Sequence, residues 1–108
     1  MGRTYSRTVR AAAELLGLYV KQARLERRWS VRELAERAGI STTTLLKIER
    51  GDPSVTLGVA FDVAALVGVP LFFDDRRGLA EELARNRDRV ALLPRRVRGR
   101  DGDVDDDF

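Results

Sequence analysis

The chain has 108 residues, enough for one modest hydrophobic core but not two. It holds no cysteine and no histidine, which removes disulfides, thiol chemistry, the usual zinc ligand sets and the commonest general base. Residues 1–50 carry 11 Lys and Arg against 5 Asp and Glu, a net +6, whereas residues 51–108 carry 9 against 12, a net −3. A basic half suggests an anionic partner such as nucleic acid, or else only a solvated, arginine-rich surface.

The longest apolar run, Ala11 to Val20, contains Glu14 and is too short to span a bilayer. Basic residues precede it as in a signal peptide, but no small-residue cleavage site follows. The expectation is therefore a cytoplasmic protein without membrane contact, metal or cofactor.

Residues 1–7 read as a flexible basic arm, residues 8–93 as an all-α domain of five helices, and residues 94–108 as a disordered charged tail. The first helix is expected from about Thr8 to Arg28, where Leu16, Tyr19, Val20 and Ala23 recur at helical spacing despite Gly17. Ser30 with Glu33 three residues on forms a capping box. Val31, Leu34, Ala35 and Ala38 give the second helix one apolar face, and Gly39 stops it in the left-handed conformation a helix end favours. Ser41 caps the third helix, Leu45 and Ile48 point inward, and Gly51 with Pro53 ends it. Thr56 caps the fourth, whose stripe is Leu57, Ala60, Phe61, Ala64 and Val67, up to Gly68. Leu71, Phe72 and Phe73 form an apolar knot in the following turn. A fifth helix runs from Leu79 to about Asp88. Beyond it "RRVRGR" is a basic block and "DGDVDDDF" an acidic one.

Two short helices joined by a glycine-containing turn make a helix-turn-helix, whose second helix enters the DNA major groove. The four hydroxyls of Ser41 to Thr44 then make sense at its tip. Ser41 caps, and the next threonines can bond phosphates or bases and pack methyls on thymine. A helix amino terminus also offers free N–H groups to phosphate. Lys47 lies one turn beyond Thr43 on the same side. Alone, "STTT" would read as a cap with solvated neighbours; what lifts it is the ordered run of Ser30, Glu33, Gly39, Ser41, Leu45, Ile48 and Gly51.

The stretch "SVRELAERAGISTTTLLKIERGDPSVTLGVAFDVAALVG" resembles the Xre/Cro-type helix-turn-helix family of bacterial and phage repressors, over about Leu16 to Val69. The resemblance implies a repressor-like fold and an ion pair between Arg24 and Glu49, joining the first and third helices. It maps base-reading positions onto Thr42, Thr43, Leu46 and Lys47, and phosphate contacts onto Ser30, Arg32, Ser41 and Arg50. Leu46 departs from the pattern, because a leucine cannot hydrogen-bond a base; it touches thymine methyls or a partner.

A narrower likeness joins "ERGDPSVTLGVAFDVAALVGV" and "LLPRRVR" to the HipB-like antitoxins found beside HipA-like kinase toxins. It implies a homodimer on double-stranded operator DNA that represses its own operon and holds a kinase-fold toxin. The alternative is a stand-alone Xre-type regulator with no toxin partner. Candidate dimer surfaces are the fifth helix and the Leu71–Phe73 knot. The tail is either a second DNA and toxin contact or a solubilising segment. With no paired carboxylates, nucleophile with a base, or phosphate loop, no catalytic residue is assigned and an enzyme is set aside.

Overall fold

The computed structural model describes residues 4–96, which are all-α, with no β-strand among them. The helices are α1 Arg7–Glu26, α2 Val31–Ala38, α3 Thr42–Arg50, α4 Leu57–Leu66 and α5 Arg76–Leu92. None is long and apolar enough to cross a membrane. Most of the expected tail, residues 97–108, lies outside the described residues, as does the start of the arm.

Four of the five helices begin where a side chain satisfies a backbone N–H. Ser6 Oγ accepts from Val9 N at 3.2 Å, so Arg7, expected in the arm, belongs to α1. α1 stops at Glu26, two residues short of expectation. Arg28 takes φ 60°, which turns the chain so that the Trp29 N–H donates to the Arg24 carbonyl at 3.1 Å. Ser30 and Glu33 form the full capping box, at 3.0 and 2.8 Å, and Gly39 ends α2 at φ 72°.

α4 departs from its reading. Its sequence, LGVAFDVAAL, is apolar nearly all round, so periodicity cannot choose the buried face. Val63 and Ala64 are buried, joined by Val67 at the C-cap, whereas Leu57 is 68% exposed. Thr56 sits at the N-cap without a side-chain capping bond. α5 starts three residues before Leu79 and continues four beyond Asp88, because Asp75 Oδ1 accepts from Gly78 N at 2.7 Å. The Leu71–Phe73 segment is not a knot. Leu71 is half-buried against the core, while Phe72 is 82% exposed at φ 73°, edge-on to Phe61 at 6.3 Å. Tyr19, expected on the core side of α1, is also exposed.

The chain divides into two units, up to Phe72 and from Phe73. The first contains the core: Val20, Leu34, Leu45, Val63 and Val67 are almost wholly buried, joined by Ile48 and the small Ala35 and Ala64. Each fully buried large aliphatic contributes about 1.5–3 kcal/mol. The second unit carries α5, in which no residue is buried. Its charges pair along the helix, Arg77 with Glu81 at 3.3 Å and Arg85 with Glu82 at 2.6 Å.

Within the first unit, α1 and α3 meet backbone to backbone. A Cβ on Gly17 would run into the Ile48 carbonyl oxygen and lie 2.7 Å from that of Glu49. At the other end of α3, a Cβ on Gly51 would lie 2.9 Å from the Glu14 nitrogen. A mid-helix glycine costs about 1 kcal/mol relative to alanine. At Gly17 that cost permits the close approach that seats α3.

Candidate nucleic-acid interface

Three residues, Gly39, Ile40 and Ser41, connect α2 to α3. Gly39 supplies the reversal, and the Ile40 N–H donates to the Ala35 carbonyl at 3.0 Å. Ile40 packs its side chain against the core. Ser41 Oγ then accepts from Thr44 N at 3.0 Å and donates to Thr44 Oγ1 at 3.0 Å. The first and last of the four hydroxyls are thus engaged with each other. Thr42 and Thr43 stand exposed on the first turn.

Leu45 and Ile48 bury one side of α3, which leaves Thr43, Lys47 and Arg50 on the outer side at i, i+4, i+7, with Thr42 and Leu46 beside them. Leu46 is 40% exposed, an apolar body in an otherwise polar stripe. Ser30 and Arg32 occupy the start of α2. The Ser30 hydroxyl is held in the capping box, and Arg32 reaches into solvent with only a loose partner, Glu36 at 3.6 Å. The structure therefore gathers Ser41, Thr42, Thr43, Leu46, Lys47 and Arg50 on α3, with Ser30 and Arg32 on a separate helix.

What fixes the angle of α3 is an ion pair beneath it. Arg24 Nε donates to Glu49 Oε2 at 2.8 Å and Arg24 Nη2 to Glu49 Oε1 at 3.0 Å, a two-pronged contact. Both side chains are under a tenth exposed. The third arm of the guanidinium, Nη1, donates to the Trp29 carbonyl at 3.0 Å. One side chain of α1 therefore ties the α1–α2 turn to α3, and the bond to Glu49 raises the Arg24 pKa above its ordinary value. No buried side-chain nitrogen or oxygen among the described residues lacks a hydrogen-bond partner.

The turn after α3 supplies groups that sequence reasoning missed. A shallow pocket of about 270 Å³ is lined by Thr44, Lys47, Ser54, Val55, Thr56 and Val59. Thr56, whose hydroxyl makes no capping bond, thus lines the same pocket as Lys47. The only prior signal was the "DPS" turn. Asp52 Oδ1 accepts from Ser54 N at 2.9 Å and Ser54 Oγ at 2.7 Å.

These bonds, with the charges of Lys47 and Arg50, hold the Asp52 carboxyl below the usual range. Its contribution to the turn is complete above about pH 4, the ordinary carboxyl value, and disappears as pH falls through the lower folded value. The melting-temperature gap between the native chain and Asp52→Ala should accordingly narrow as the pH falls below about 4. A gap that is constant down to pH 2 would contradict that reading of the turn.

Two helices joined by three residues, the second capped at a projecting tip and exposing polar side chains, constitute a helix-turn-helix. The chain belongs to the helix-turn-helix family, a non-enzymatic one, whose model matches residues 20–73. Over 58 residues it is 38% identical to the HTH-type transcriptional regulator SutR of Escherichia coli strain K12. That alignment covers 54% of this chain and 33% of SutR, so the chain matches a third of that protein's length. No solved structure matches the chain.

Proposed function

We propose that the protein is a cytoplasmic, sequence-specific DNA-binding transcriptional regulator that acts as a homodimer. The observation that carries this reading is the exposed, capped tip of α3, with Thr42, Thr43 and Lys47 outward and Leu45 and Ile48 anchoring the opposite side. Thr42, Thr43 and Lys47 read base edges, and Leu46 packs on a thymine methyl. Ser30, Arg32, Ser41 and Arg50 bind phosphates on either side, with Arg32 and Arg50 as forked donors. Two such helices sit about 34 Å apart, in successive major grooves of a near-palindromic operator.

A repressor that also serves as antitoxin to a HipA-like kinase is the narrower version. "GDPSVTLG" and "LPRRVR" support it, and so does Gly58. A Cβ there would meet nothing within 4 Å, so the chain's own packing does not explain the glycine. A partner approaching the backbone closely at the start of α4 would explain it. Co-purification with a kinase-fold protein encoded next to this gene separates the two versions; its failure would leave the stand-alone regulator.

A salt titration tests the division of labour on α2 and α3. Arg32→Ala and Arg50→Ala should each weaken binding to every duplex and lower the salt slope by about 1. Thr43→Ala and Lys47→Ala should instead shift operator preference, by about 1–3 kcal/mol per lost base contact. Four variants with one common behaviour would contradict the assignment.

A further inference from the structure

α5 is a helix without a core. None of its 17 residues is buried, and a helix of that length is marginal in water on intrinsic propensity. Yet Leu79, Leu83, Asn86 and Val90 recur at spacings of four, three and four, the repeat of a two-stranded coiled coil. The three apolar members are 38%, 48% and 67% exposed. We propose that this stripe pairs, in parallel, with the same stripe of a second copy and forms the dimer contact. The inference rests on the homodimer reading above and supplies its surface.

Three features point to a second copy, and the last two to a parallel one. The first is charge. In a parallel pair the flanking positions that meet lie five residues apart, so Glu82 faces Arg87 of the other copy, and the reverse, giving two opposite-charge contacts; an antiparallel pair would give Glu82 with Arg89 instead, so charge favours a like partner in either direction. The remaining pairs of this kind, Asp75 with Ala80 and Arg89 with Pro94, bring no like charges together; the one like-charge meeting is Arg76 with Arg76, at the first turn of α5. The second is Asn86, which in the single chain donates Nδ2 to the Glu82 carbonyl at 2.7 Å and to its carboxylate at 2.8 Å. In parallel, Asn86 meets Asn86 at the d position, and each amide can donate to the other's oxygen, so the buried amides are satisfied only in that register. Antiparallel pairing would set it against Leu83, which offers nothing. The third is shape: of the two a positions, Leu83 and Val90, the second is β-branched, and with Leu79 at d that end suits two parallel strands.

The stripe covers about two heptads, so the contact is weak in free solution. It strengthens when operator half-sites hold two copies side by side and raise their effective concentration.

Because the chain contains no cysteine, a single introduced thiol reports the geometry without background. Parallel pairing places the two position-90 side chains within disulfide reach, and the same holds for position 79. Antiparallel pairing of Leu79 with Val90 would separate identical positions by about 16 Å along the axis. Under mild oxidation, Val90→Cys and Leu79→Cys should each form covalent dimers about tenfold faster than Glu81→Cys, which faces outward. Adding Leu83→Glu should abolish the excess, while the melting transition of the first unit stays in place. Cross-linking that appears only when Leu79→Cys and Val90→Cys are mixed would overturn the parallel arrangement. Equal rates in a protein that sizes as a dimer would place the contact elsewhere. A protein that stays monomeric at high concentration and on operator DNA would remove the homodimer reading as well.

Discussion

Replacing Glu49 with alanine is expected to lower the unfolding free energy by about 3–5 kcal/mol, the cost of stranding a buried charge. A domain of this size has on the order of 5–15 kcal/mol in total, so the variant should be near unfolding at 37 °C. The cause is local. With the carboxylate gone, two of the three donor arms of Arg24 face a protein interior under a tenth exposed, and only the bond to Trp29 O remains. Urea titration followed by circular dichroism measures the loss. Replacing both partners, Arg24→Met with Glu49→Met, should cost less than either single change, because no charge is then stranded. Equal, additive losses would mean that the pair contributes through two independent contacts.

Gly17→Val should destabilise by about 3 kcal/mol, at the upper end of overpacking effects. The neighbours it meets are the carbonyls of Ile48 and Glu49, backbone atoms that cannot rotate aside as a side chain could. α3 would have to lift from α1, and so the variant should lose operator affinity as well as stability. Gly58→Ala provides the contrast. Its Cβ meets open space, so it should be neutral or gain up to about 1 kcal/mol from helix propensity. Gly17→Val should lower the melting temperature and Gly58→Ala leave it unchanged or raise it; a Gly17→Val protein as stable as the native chain would refute the close α1–α3 approach.

Local chemistry explains which elements could be read in advance. The start and end of α2 and the start of α3 are encoded by adjacent residues, Ser30 with Glu33, Gly39, and Ser41 with Thr44. Short-range hydrogen bonds fix them whatever the rest of the chain does. The buried side of α3 was legible from spacing, since Leu45 and Ile48 stand three apart and only Leu46 among their neighbours is apolar. α4 was not, because a uniformly apolar segment has no periodicity to read, and only packing selects Val63 and Ala64 over Leu57. Gly17 looked like a weakness in α1 because its justification lies in α3, about thirty residues away in sequence. Asp75 was passed over as part of a charged turn, so α5 was drawn too short.

The candidate site divides the same way. Thr42, Thr43 and Lys47 follow from helical geometry once the cap is placed. The contact between Arg24 and Glu49 joins residues 25 apart, and only family resemblance suggested it. Thr56 was read as a cap, and its place in one pocket with Lys47 becomes visible only when the turn after α3 folds back.

The most direct test of the central claim, that the tip of α3 enters duplex DNA, is residue-resolved NMR. Amide resonances of the isotope-labelled protein would be followed as a fragment of its own promoter is added at low ionic strength. The largest perturbations are expected at Ser41, Thr42, Thr43, Lys47 and Arg50, with smaller ones at Ser30 and Arg32 and little change at Val20 or Val63. Perturbations concentrated away from α3, or no change at all, would contradict it.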